Sequence, residues 1–165
     1  AYCMAFFRQF GIDVRIARIF NTYGPRMRAD GHYGRVIPRF IRQALDNDPI
    51  TIFGDGTQTR SFCYVTDQIE GLLKLAGING LSGEVCNIGT TEEITINTLA
   101  KIVIRETNSR SILTFQKLPP DDPQRRCPVI QKAWDFLGWK PKISLAQGLK
   151  RMIGDNLGSQ RSFVS

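Results

Sequence analysis

The residues best equipped for chemistry are arginines placed on or beside predicted loops. An apolar run from Asp13 to Phe20 is broken at once by Asn21-Thr22-Tyr23-Gly24-Pro25, with Arg26 and Arg28 following. This reads as a strand that ends and delivers polar groups onto a loop. In α/β proteins, ligands bind in loops at the C-terminal ends of strands. Arg35 opens a helix-like stretch, and a helix N-terminus already favours anions. Arg60 opens a strand-like run, and Arg126 follows a proline-rich segment. Guanidinium is a forked, permanently charged donor suited to phosphate and carboxylate.

The elements that must hold these groups can be read from the pattern. Residues 1–10 suit the end of an amphipathic helix stopped by Gly11. Asp13 to Phe20 suits a parallel strand, and residues 21–34 a loop. An apolar stripe through Val36, Ile37, Phe40, Ile41 and Leu45 predicts a helix to about residue 47. Ile50 to Phe53 predicts a short strand, Gly54-Asp55-Gly56 a tight turn, and Arg60 to Val65 a further strand. Thr66-Asp67 is expected to cap a helix to Leu75. Glu84 to Ile88 and Ile112 to Phe115 suit strands. Helices are expected from Thr95 or Asn97 past Ile104, from Ile130 to Leu137 with Gly138 as stop, and from a Ser144 cap to Asn156. Leu118 to Pro123 cannot be regular, because proline removes donors and fixes φ. The tail from Gly158 is expected to fray. Strands alternating with helices predict an α/β architecture.

Composition narrows the function classes. The chain has 165 residues, which suits one domain, and 42% of them are hydrophobic, too many for disorder. No apolar run approaches a membrane span, and Ala1-Tyr2-Cys3-Met4-Ala5-Phe6-Phe7 lacks the basic lead and cleavage site of a signal peptide. The absence of an initiator Met fits truncation as well as processing or trimming. The net charge is +7. Nucleic-acid binding, an anionic small substrate and an absent acidic partner region would each account for it, but the basic residues are scattered rather than clustered. Cys3, Cys63, Cys86 and Cys127 have no metal-ligand spacing and His32 is the single histidine, so no metal is expected. Cys63 and Cys86 sit in strand-like runs and are expected to be buried thiols. The pattern suits a reducing, cytoplasmic compartment.

Four ordered stretches, Arg18 to Met27, Arg35 to Phe40, Ile50 to Asp67 and Asp121 to Pro128, resemble the nucleotide-sugar branch of the extended short-chain dehydrogenases, the NAD-dependent epimerase/dehydratase family. Within it, Gly24-Pro25-Arg26-Met27, Thr59 to Val65, and Asp121-Asp122-Pro123 with Arg126 look most like the UDP-glucuronate decarboxylases. Two departures stand out. Arg126-Cys127-Pro128-Val129 replaces the usual Arg-Lys-Pro-Asp, and the loop before Arg35 is longer than in the common form.

The resemblance implies an α/β fold, the C-terminal part of a Rossmann-type enzyme. Residues 1–20 would be the last helix and strand of the cofactor domain, and 21–165 the nucleotide-sugar-binding portion. The family's G-x-x-G-x-x-G loop and its Tyr-x-x-x-Lys pair are read as lying outside the chain, which alone would be inactive and would expose apolar surface. The family's members are often dimers. The resemblance gives roles to particular residues. Arg60 would bind the diphosphate, Asn21 the phosphate or sugar, and Arg35 the nucleotide. Thr51 and Phe53 would hold the uracil, Arg126 would face the sugar carboxylate, and Asp122 would reach a ribose hydroxyl. Thr22 and Arg28 would approach NAD. Taken alone, Arg60 reads as a surface strand residue, Phe53 as core packing and Asn21 as a turn former. The implied reaction converts UDP-glucuronate to UDP-xylose through a 4-keto intermediate, with NAD recycled. A 4,6-dehydratase acting on dTDP-glucose, a UDP-sugar 4-epimerase and a non-catalytic UDP-sugar-binding module are the rivals. Nucleic-acid and membrane partners are not expected.

Overall fold

The computed structural model describes residues 2–28, 35–120 and 122–161, the last five by backbone alone. The expectations for Asp30 to Gly34, His32 among them, and for Asp121 lie outside the described residues. In chain order the elements are α1 (Tyr2–Phe10), β1 (Ile16–Ile19), β2 (Thr22–Tyr23), α2 (Val36–Leu45), β3 (Ile50–Phe53), β4 (Thr59–Ser61), β5 (Cys63–Tyr64), α3 (Val65–Gly77), β6 (Val85–Ile88), β7 (Glu93–Thr95), α4 (Ile96–Thr107), β8 (Leu113–Gln116), β9 (Arg125–Arg126), α5 (Gln131–Leu137) and α6 (Leu145–Arg161). The predicted Arg60–Val65 strand is two strands, and β2, β7 and β9 fall where loops were expected. Helix α6 continues past Gly158, where fraying was expected.

Contacts divide the chain into two units. Unit 1 is Ala1–Thr22, Ser61–Glu92 and Cys127–Ile143, and unit 2 is Tyr23–Arg60, Glu93–Arg126 and Ser144–Ser165. The chain leaves unit 1 after Thr22 and returns to it twice.

Unit 1 is built on a parallel pair, β1 with β6, in register from Ile16 with Val85 to Ile19 with Ile88. A parallel pair needs a long crossover. Here α3 is part of it and packs on β1 and β6, with α5 against α3 and β6. The core holds Cys63, Leu75, Cys86, Ile88, Leu137 and Trp139. Each such large side chain contributes about 1.5–3 kcal/mol by leaving water. Burial of Trp139 requires a partner for its indole N–H, which donates to the Asp67 backbone oxygen at 3.1 Å. Asp67 does not cap α3. It lies within the first turn, 3% exposed, and its Oδ2 accepts from the backbone N–H groups of Lys142 (2.9 Å) and Ile143 (2.8 Å). Helix α1 has no buried residue, and Tyr2, Phe6 and Phe10 on it are exposed.

Unit 2 is built on a second parallel pair, β3 with β8, from Ile50 with Leu113 to Phe53 with Gln116. Helices α2 and α4 pack on β3, and α6 packs on α4. The predicted stripe on α2 is buried through Ile37, Phe40 and Ile41, joined by Ala44. Thr95 caps α4, its hydroxyl accepting from Thr98 N–H at 3.1 Å. Ser144 and Gln147 form a reciprocal capping box at the start of α6. After β3 the chain turns tightly. Asp55 accepts from Thr57 N–H at 2.9 Å, and Gly56 has φ of +76°, where a Cβ would stand 2.3 Å from Asn97 Oδ1. Only glycine meets both demands. The turn leads into β4, which lies between β7 and β9.

Candidate functional site

In unit 2 the sheet order sets Arg60 beside Arg126. Strands β4 and β9 run parallel, with Thr59 opposite Arg125 and Arg60 opposite Arg126. Registered partners share a face, so the two guanidinium groups leave the same side of the pair. The strands are tied by Glu93 of β7. It accepts from the Thr59 hydroxyl at 2.8 Å and from Arg125 Nε at 2.9 Å.

Arg60 is 8% exposed, not the surface residue its sequence context suggests. A buried guanidinium needs partners. Nη1 donates to the backbone oxygens of Thr59 (2.7 Å) and Gln124 (3.5 Å), and Nη2 donates to Asp122 Oδ1 at 2.5 Å. These bonds use three of the five N–H groups. Among the described residues Nε donates to no acceptor, and Nε with Nη2 is an edge of the kind that pairs with a phosphate or carboxylate. Asp122, expected to meet a ribose hydroxyl, pairs with Arg60, and its side chain is 37% exposed. Arg126 is exposed.

The second cluster lies along the outer edge of β3. Even-numbered residues face β8: Ile50 N–H bonds to Ile112 O at 2.8 Å and Gly54 N–H to Gln116 O at 2.8 Å. Thr51 and Phe53 therefore present their backbone groups to the other side. Phe53 is partly exposed, and its backbone oxygen accepts from Gln58 Nε2 at 2.7 Å. Thr51 is held by two α2 residues that the sequence reading passed over, Arg39 and Gln43. They are four residues apart, one above the other on the helix. That spacing was the available signal. Arg35 is the N-cap of α2, exposed and without a side-chain cap hydrogen bond. Arg28 is exposed in the loop after β2.

Asn21 and Thr22 belong to unit 1. Asn21 Nδ2 donates to Ser61 O at 2.9 Å, and Thr22 Oγ1 donates to Gln68 Oε1 at 3.2 Å. Gln68 is itself buried and donates to Ile88 O at 3.3 Å. The thiols of Cys63 and Cys86 are buried as expected, and burial pushes Cys63 up to about 12 and Cys86 also upward. Neither is a nucleophile near neutral pH.

The spacing Gly77-x-x-Gly80-x-x-Gly83 does occur in the chain. It leaves α3 and enters β6, so a helix ends there instead of beginning. At Gly83, φ is +81° and a Cβ would stand 2.5 Å from the Phe7 ring. A dinucleotide pyrophosphate needs a glycine loop that opens a helix. This loop does not fit NAD.

Known proteins share this architecture. A UDP-glucose 4-epimerase from Thermotoga maritima, solved with UDP-glucose, superposes with a TM-score of 0.91 at 31% identity, over 96% of this chain and 50% of its own. A UDP-glucuronic acid 4-epimerase from Bacillus cereus, solved with UDP-glucuronic acid and NAD, gives 0.88 at 34% identity, over 95% of this chain and 49% of its own. Both support a Rossmann-type α/β fold. Among curated relatives, UDP-glucuronic acid decarboxylase 2 of Arabidopsis thaliana is 46% identical over 92% of this chain, and decarboxylase 3 of the same plant 47% over 90%. The chain spans 33% and 42% of their respective lengths. The profile of the NAD dependent epimerase/dehydratase family matches residues 1–89, more than half of the sequence, and the chain belongs to that family.

Proposed function

We propose that this chain is the substrate-gripping part of a UDP-glucuronate decarboxylase, whose reaction takes up a proton and releases carbon dioxide to leave UDP-xylose. The observation that carries the reading is the registered pair Arg60 and Arg126 on β4 and β9. A UDP-uronate has two anionic ends to hold, a diphosphate and a carboxylate. Arg60 offers the diphosphate the unused edge of its fork, in a low-exposure setting that strengthens charge-assisted hydrogen bonds. Arg126 offers a bidentate partner to the carboxylate. The uracil stacks on Phe53 and reads the backbone of Thr51, with Arg35 at the start of α2 adding charge near the nucleotide. Asn21 holds phosphate or sugar, Asp122 reaches a ribose hydroxyl, and Thr22 and Arg28 approach NAD. The glycine loop and the Tyr–Lys pair are assigned to a preceding segment of a longer, dimeric, cytoplasmic enzyme. In that setting the chain contributes orientation, which can supply several kcal/mol of rate acceleration.

A 4-epimerase or 4,6-dehydratase is the second reading, favoured by Cys127 and Val129 at positions where decarboxylases usually carry Lys and Asp. Calorimetric titration with UDP, UDP-glucuronate and dTDP-glucose tests whether the site takes a uronate and separates that from the dTDP-glucose dehydratase. On the decarboxylase reading UDP-glucuronate binds about tenfold tighter than UDP, and Arg126→Ala abolishes that increment while leaving UDP affinity intact. A dTDP-glucose preference, or an increment that survives Arg126→Ala, would sink it.

A further inference from the structure

Arg39 does at the edge of β3 what a pyrimidine would have to do there. Its guanidinium carbon stands 4.8 Å from the centroid of the Phe53 ring, and 5.6 Å from that of Phe40. Nη2 donates to the Thr51 backbone oxygen at 3.3 Å. Gln43, one turn later, completes the cover. Its Oε1 accepts from Thr51 N–H at 3.2 Å, and its Nε2 donates to Thr51 Oγ1 at 3.1 Å. A flat group stacked on Phe53 and donating N–H to the Thr51 carbonyl is also a description of a bound uracil, whose N3–H needs an acceptor and whose ring needs a face. Two flat groups cannot lie on that ring face at once, and each would draw on the same carbonyl.

The parked arginine is poorly satisfied. Its Nε is buried and has no hydrogen-bond partner among the described residues. A buried donor without a partner is costly, and a guanidinium released to water recovers that loss. Burial also pushes the Arg39 pKa below its ordinary value, the mark of a charge held away from solvent. Arg39 is thus held by the Thr51 carbonyl and by the Phe53 and Phe40 rings, and at the first two a base can take its place.

We propose that Arg39 is an internal competitor for the nucleobase: uracil enters by displacing its guanidinium from Phe53 and Thr51. The exchange makes Arg39 a specificity-determining residue. A ligand with a flat face and an N–H donor compensates Phe53 and Thr51 for the loss of Arg39. A sugar phosphate or pyrophosphate without a base does not displace it. The proposal rests on the reading above that Phe53 and Thr51 seat the base.

Titration calorimetry with UDP and with inorganic pyrophosphate, on the native chain and on Arg39→Ala, Arg39→Lys and Phe53→Leu, tests it. Arg39→Ala is expected to bind UDP about tenfold tighter, with pyrophosphate affinity unchanged or slightly reduced by the lost charge. Arg39→Lys keeps stem and charge but cannot stack flat, so it gives a smaller gain in the same direction. It also serves if the alanine variant does not fold. Unchanged or weaker UDP binding by the Arg39 variants, with Phe53→Leu still weakening UDP, overturns the competition while the base seat stands. UDP binding no tighter than pyrophosphate and indifferent to Phe53→Leu overturns the base seat, and the competition with it.

Discussion

Unit 1 and unit 2 each bury a charged side chain, and the two are buried on different terms. Asp67, in unit 1, lies under the 142–143 backbone and accepts two of its N–H groups. The partners are fixed parts of the same unit, and the carboxylate serves the fold. Arg60, in unit 2, is almost as buried, yet its charged partner Asp122 is more than a third exposed, and its Nε donates to none of the described residues. A buried charge surrounded by backbone donors is a structural strut. On the reading proposed above, a buried charge with a donor left over is prepared for a ligand.

The sharpest way to break this contrast is Asp67→Ala. It strands two backbone N–H groups and is expected to cost about 3 kcal/mol, read as a lower denaturant midpoint. UDP affinity of the folded molecules should not change. A loss of affinity at constant stability would make Asp67 part of the site and end the comparison. A smaller effect comes from Cys63 in unit 1. Its folded pKa is raised from 9.0 to about 12, so the folded thiol keeps a proton that the unfolded one releases. Stability is therefore full below pH 9 and falls as pH rises toward 12, by at most about 1.4 kcal/mol per unit. Cys63→Ala should flatten that slope in melts run from pH 8 to 10, and an unaltered slope would place the titration elsewhere. The mildest test is Asp122→Asn in unit 2. The carboxylate is partly solvated, so the change should cost less than about 1 kcal/mol. A loss as large as that of Asp67→Ala would show Arg60 to be as structural as Asp67.

What the sequence disclosed follows from length and period. Helices α2, α4 and α6 and strands β3, β6 and β8 carry a stripe or a β-branched run, and they fall close to where the pattern puts them. Strands β2 and β9 have two residues each and β7 has three, too few for a period to show. Asp67 sits where a cap would, one residue after Thr66, and only the fold reveals that its partners lie near residue 142. The burial of Arg60 was illegible for a related reason. Arg60, Ser61, Phe62, Cys63 and Tyr64 are all buried, so alternation tells which side each occupies and nothing about which side is wet. The resemblance pointed to Arg60, Arg126, Thr51 and Phe53. The Arg60–Asp122 pair and the Arg39 contact join residues 62 and 14 apart, and pairings across loops of that kind leave no local mark.

The most direct test of the central claim is Arg60→Lys, measured by calorimetry with UDP beside a thermal melt. Lysine keeps the charge that Asp122 requires but lacks the second N–H of the fork. If the unused edge of Arg60 holds the diphosphate, UDP affinity falls about tenfold or more while the melting temperature stays within a few degrees of native. If UDP binds the variant as tightly as the native chain, Arg60 is a strut like Asp67, and the diphosphate is held elsewhere.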